Sequence, residues 1–240
     1  MVSGVDGEVT IERRFRGPVE SGNGGYACGV LARFLDAEAV EVTLRRPPPL
    51  DRALAVEAGD GRATMHDGDA LVAEAEVRGD LELELPRPVG VEEATAAWRR
   101  SPLRSDHPFP ECFVCGPARC GNDGFCVTCG PLDGGDAVAA PWRVEGSLPL
   151  EGGSVAPKLV WSVLDCPGGI AAMLVPDAGV AVLGRLTASI DGAIEPGATC
   201  VAMGWPIDRE GRKLHAGSAI FSEDGEPLAR ARATWIELRD

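Results

Sequence analysis

The chain has 240 residues, with 23 basic against 37 acidic side chains, a formal net charge of −14, and 8 cysteines. Its hydrophobic share of 45% can furnish a real core, which excludes a chain left disordered by composition. Residues 1–100 and 101–240 each carry −7, so neither half has the basic footprint of a nucleic-acid binder.

The length allows one large domain or two small ones, at roughly 150 residues per domain. The opening, MVSGVDGEVT, lacks the cationic and apolar regions of a leader. No apolar run approaches the roughly 18–20 residues that span a bilayer. The expectation is a cytoplasmic protein with no membrane partner. Thiols there stay mostly reduced, so 8 cysteines are not read as four disulfides.

In chain order, a strand is expected around Val9–Phe15 and a helix over 23–36. In that helix Tyr26, Val30 and Phe34 form an i, i+4 apolar stripe beside Ala27 and Leu31. Strands follow over 39–57 and 61–85. The stretch 99–135 is rich in Pro, Gly and Cys, has no periodicity and reads as a connector. A strand over 136–143 leads to a second helix over 157–174. Pro157 suits its first turn, and Pro167-Gly168-Gly169 should kink or end it. Further strands are expected over 180–194, 198–206 and 213–238.

The second half repeats the first. Residues 61–76, GRATMHDGDALVAEAE, match residues 217–232, GSAIFSEDGEPLARAR. Asp67-Gly68 and Asp224-Gly225 are hairpin turns. After each turn, apolar residues alternate with charged ones. Ala73, Ala75 and Val77 face one way, as do Ala229, Ala231 and Ala233. That is the pattern of an antiparallel sheet with one wet face. Each half reads as one buried helix with several strands, an α+β arrangement. Three units follow: 1–98, the connector 99–135, and 136–240.

Within the connector, Cys112-Phe113-Val114-Cys115-Gly116-Pro117 and Cys126-Val127-Thr128-Cys129-Gly130-Pro131 are two C-x-x-C-G-P knuckles. Together Cys112, Cys115, Cys126 and Cys129 supply four thiolates for a tetrahedral, structural Zn²⁺. Cys120 is left over as a substitute ligand. Cys28, Cys166 and Cys200 read as ordinary buried thiols.

The Asn23-Gly24-Gly25-Tyr26 opening of the first helix resembles the N-terminal motif of acyl-CoA thioesterase-like double hotdog proteins. His107-Pro108-Phe109-Pro110, the run Trp161 to Gly169 and the run Leu214 to Ala219 resemble uncharacterised bacterial members of that superfamily. The resemblance implies a double hotdog: two antiparallel sheets, each wrapped around one long central helix, packed as a pseudo-dimer. It also implies hydrolysis of an acyl-CoA thioester by an activated water between the two units, with no cofactor needed. Asn23, Gly24 and Gly25 match the helix start whose N–H groups polarise the carbonyl. Asp165 matches the carboxylate that serves as base, and burial would raise its pKa toward neutrality. A structural alternative pairs Asp165 with Arg185. The late-strand Gln of the two-hotdog thioesterases has no counterpart here, and Thr234 is the nearest polar residue. That gap favours a second reading, a non-catalytic acyl-CoA or fatty-acyl binding protein. A homodimer of such chains is compatible with either.

Overall fold

The computed structural model describes residues 5–239. The first four residues of the segment inspected for a leader lie outside them. The first unit is built from β1 (Val5–Thr10), α1 (Gly24–Ala32), β2 (Ala39–Leu44), β3 (Ala53–Gly59), β4 (Arg62–Asp67) and β5 (Ala70–Arg78). Helix α2 (Val91–Arg100) follows, then β6 (Gly130–Pro131) and β7 (Val138–Arg143). The remainder is β8 (Leu150–Glu151), β9 (Ser154–Val155), α3 (Pro157–Met173), β10 (Ala181–Ile190), β11 (Thr199–Glu210), β12 (Lys213–Phe221) and β13 (Pro227–Glu237). Among the described residues, no helix is long and apolar enough to cross a membrane.

Alternation builds the strands. In β3, Leu54, Val56 and Ala58 point inward and the residues between them are exposed. Ala229, Ala231 and Ala233 do the same in β13. The two expected hairpins join β4 to β5 and β12 to β13. The repeat extends beyond them. The strand order β1-β3-β4-β5-β2 in the first unit recurs as β7-β11-β12-β13-β10 in the second.

The expectation of two separate sheets is corrected. The matching strands β2 and β10 pair antiparallel, Val42 opposite Leu186 and Val40 opposite Ala188, and fuse both halves into one 11-stranded sheet. A strand edge left bare beside its symmetry mate is satisfied by pairing with it. At this seam Glu41 accepts hydrogen bonds from Arg78 at 2.8 Å and from the Thr187 hydroxyl at 3.1 Å. The Arg185 guanidinium stands 3.7 Å away. Burial pushes the Glu41 carboxyl up, but these partners outweigh it and hold it below the ordinary glutamate value. A lowered folded-state pKa contributes stability that is present above the unfolded value and lost as pH falls through the folded one. Glu41→Gln should therefore cost about 1 kcal/mol near neutrality. The gap between variant and wild type should close as pH drops below the usual carboxylate range. Thermal melts at pH 7 and pH 3 check this.

The central helices differ from expectation in opposite ways. Helix α1 is only 9 residues long, started by Asn23, whose Oδ1 accepts from the Tyr26 amide at 2.8 Å. Helix α3 runs 17 residues straight through Pro167. Burial on every side holds it, since each residue from Leu159 to Ala172 is buried. The Ser218 hydroxyl also donates to the Leu164 carbonyl at 2.6 Å, in the turn before the proline.

Helix α2 was not expected. It begins before the unit boundary at 98 and lays Ala94 and Ala97 on Ala139, Val201, Met203, Ala219 and Phe221, on the sheet face away from α3. Its buried stripe is two alanines, too weak a period to read. Its ends did carry a signal, with Glu92 and Glu93 in the first turn and Arg99 and Arg100 in the last. The connector is no loose strap either. Phe113 is 1% exposed and packs edge-on against Phe15 and Tyr26 of the first unit and against Phe125, whose ring lies 5.7 Å from that of Trp142 in the second.

Candidate active site

Helices α1 and α3 touch backbone to backbone, and glycine makes that contact. A Cβ on Gly25 would lie 2.4 Å from the Trp161 carbonyl oxygen and 2.5 Å from Asp165 Cβ. What fills the space of the missing Gly25 side chain is α3. This approach places Asp165 against the start of α1. Its Oδ2 accepts from the Gly25 N–H at 2.8 Å. Its Oδ1 is buried with no hydrogen-bond partner among the described residues.

Asp165 is 3% exposed. Burial raises its pKa, the Gly25 amide lowers it, the Cys112 sulfur raises it, and the Asn23 side chain lowers it, for a value of about 7. Desolvation wins because the charged form loses more hydration than one amide restores. The alternative pairing with Arg185 is corrected. Arg185 lies on the outer face, donating to Thr43 Oγ1 at 3.0 Å and facing Glu41.

Asp165, Asn23 and Gly24 line one cavity of about 470 Å³. Its walls are largely apolar, with Leu183, Ile170, Met173, Phe109 and Trp235 among them. Of the first amides of α1, Tyr26 donates to Asn23 Oδ1 and Gly25 to Asp165. The Gly24 N–H donates to nothing among the described residues. Arg45 and Arg46 sit at the same cavity. Arg45 pairs with Glu74, while Arg46 has no ion pair among the described residues. A local cationic rim thus coexists with an acidic chain.

Thr234 does not join the site. Its hydroxyl lies 3.1 Å from His215 Nδ1, its cross-strand neighbour, and the cavity takes Trp235 and Ile236 from β13 instead. Thr234 is held instead at His215 by that cross-strand contact.

The zinc expectation is corrected as well. Cys112 and Cys115 converge with Cys166 of α3, the three sulfurs lying within 4.8 Å of one another, an arrangement that could hold a metal ion. The second knuckle turns elsewhere. Cys126 forms a disulfide with Cys120. The Cys129 thiol faces the Ala202 carbonyl at 3.7 Å, while its own carbonyl accepts from Ser101. Spacing offers four ligands but does not say which way each sulfur points. Hydrogen bonds from Cys115 and Cys166 hold the Cys112 thiol well below its usual value, and Cys115 and Cys166 are raised in turn. Cys166, read as an ordinary thiol, and His107 also line the cavity. His107 Nδ1 accepts from the Phe109 amide at 2.9 Å, its Nε2 is buried and unpartnered, and burial lowers its pKa.

No known family profile matches the sequence, and no curated protein matches it. Solved structures do match. A proposed thioesterase II from Thermobifida fusca aligns over 100% of this chain and 96% of its own, at 15% identity and TM-score 0.63. A proposed thioesterase from Novosphingobium aromaticivorans aligns over 98% and 96%, at 11% identity and TM-score 0.63. A hotdog-fold protein from Alicyclobacillus acidocaldarius aligns over 100% and 96%, at 11% identity and TM-score 0.51. The chain has the hotdog fold. Its two hotdog units share one sheet, and Asp165 of the second unit meets the helix start of the first where the connector closes over both.

Proposed function

We propose that this hotdog protein hydrolyses an acyl-CoA thioester in the 470 Å³ cavity. The observation that carries the reading is Asp165: a buried carboxylate on the cavity wall, anchored through Oδ2 and unpartnered at Oδ1. A free carboxylate oxygen in an apolar cavity suits a base that accepts a proton from water. The acyl chain lies along Ile170, Met173, Leu183 and Trp235. The thioester carbonyl oxygen receives the Gly24 N–H at the positive end of α1. Water adds to the carbonyl carbon as Asp165 takes its proton. The C–S bond then breaks, and the proton passes to the departing CoA thiolate. Asn23 shapes the helix start and Gly25 holds the carboxylate; neither touches the reacting atoms.

The anionic CoA moiety sits at Arg45 and Arg46. Arg46→Ala should raise KM for an acyl-CoA roughly fivefold, about 1 kcal/mol for one charge-assisted contact, with kcat unchanged. The effect should shrink with added salt.

The binding-protein reading is favoured by one observation: β13 brings only apolar side chains, Trp235 and Ile236, to the cavity. A thiol-release assay over short, long and aromatic acyl-CoAs separates the two. Turnover of any of them supports the hydrolase. Tight binding without release of thiol supports the binding protein.

A further inference from the structure

Cys112, Cys115 and Cys166 come from two segments far apart in sequence, yet their sulfurs meet within 4.8 Å of one another. Cys112 Sγ and Cys166 Sγ are 3.8 Å apart. Thiolates held at about 2.3 Å around a tetrahedral Zn²⁺ are about 3.8 Å from one another. That distance is well beyond a disulfide bond. The knuckle is set for the purpose. The Gly116 amide folds back on the Cys112 carbonyl at 2.8 Å. A side chain on Gly116 would lie 2.6 Å from the Cys112 backbone nitrogen.

The surroundings match a thiolate cluster. The Asn23 side-chain amide points its nitrogen at both sulfurs, 3.9 Å from Cys112 and 3.8 Å from Cys166. Such N–H···S contacts from the next layer orient and stabilise ligating thiolates. Three thiols leave one tetrahedral position. All three residues line the cavity, as do Asp165 and His107, whose Oδ1 and Nε2 are buried without a partner among the described residues. The remaining position therefore opens toward the cavity, as in sites that keep a water or a ligand on the metal.

We propose that Cys112, Cys115 and Cys166 bind one thiophilic divalent cation of the Zn²⁺ class, with its fourth position facing the cavity. The site differs from a closed four-cysteine staple in both membership and place. It is independent of thioester hydrolysis and holds whether or not the cavity turns over acyl-CoA.

The test is a Co²⁺ titration of the full chain, reduced and stripped with a chelator that is then removed. One Co²⁺ per chain should bind, with intense thiolate-to-cobalt charge-transfer absorption and the strong visible bands of a tetrahedral site. Zn²⁺ should displace it. Cys166→Ser should weaken binding at least tenfold and reduce the charge-transfer band. Cys126→Ser and Cys129→Ser should leave both unchanged. If Cys166→Ser fails to fold by circular dichroism, Cys112→Ser and the wild-type titration carry the same test. No binding at micromolar Co²⁺, a weak octahedral spectrum without charge transfer, or an equal loss in Cys129→Ser would overturn the assignment.

Discussion

Asp165→Asn should lower kcat for thioester hydrolysis about 10²–10⁴-fold while leaving acyl-CoA affinity near that of wild type. The amide keeps the shape of the carboxylate. It can still accept the Gly25 N–H through its oxygen, so the junction of α1 and α3 is preserved. What disappears is an oxygen able to take a proton. The same substitution should stabilise the fold above neutrality. A buried carboxyl whose pKa is raised to about 7 weakens the native state as pH climbs from the unfolded value through 7, because the unfolded chain ionises first. Asparagine has no charge to desolvate. The variant should therefore melt higher than wild type at pH 8 and close to it at pH 4. Turnover unchanged in Asp165→Asn would reject the assigned base, whatever the melting curves show. A gain in stability with a loss of activity is the usual mark of a strained functional group.

Gly25→Ala should be the most destabilising single methyl addition at this junction, costing about 3 kcal/mol or more. The added carbon meets a backbone oxygen at 2.4 Å and Asp165 Cβ at 2.5 Å, and neither is the far end of a flexible side chain. Relief requires moving α1 off α3, which also pulls the Gly25 amide from Asp165. Urea unfolding should show a lower midpoint with an unchanged slope. Gly79→Ala is the matched control: nothing lies within 4 Å of a Cβ there, and its effect should stay within about 0.5 kcal/mol. If the two variants unfold alike, the helices are not held at backbone contact by this glycine.

Both hairpins and most strands were legible because alternation and Asp-Gly turns are local signals; the first strand instead spans Val5–Thr10, and Arg13–Phe15, at the end of its expected range, forms a 3-10 turn. Asn23 as a helix cap and Asp165 as a buried acid were legible for a related reason: each is out of place in its neighbourhood unless it has a task. A resemblance alone had proposed Thr234 for the site, and its contact with His215 depends on a cross-strand pairing that spacing does not encode. Cysteine partners were not legible. Two like-spaced knuckles suggest symmetry, whereas Cys166 enters from a helix some fifty residues on, through packing that spacing does not encode. Arg46 was hidden likewise, being an ordinary residue until the fold carried it to the cavity.

The seam where β2 meets β10 has a consequence for how the chain is made. Thr43 pairs with Arg185 across most of the polypeptide, so this ladder cannot close during synthesis until the second half has emerged. The loop-closure cost grows only slowly with length, but such distant pairing is slow. Until then the first half presents β2 as an unpaired edge, the surface on which strands of other molecules add. Its proper partner is the strand in the equivalent place of the second half of the same chain. Two nascent chains side by side could therefore exchange halves and still complete every ladder. Concentration during refolding should decide how much domain-swapped dimer appears.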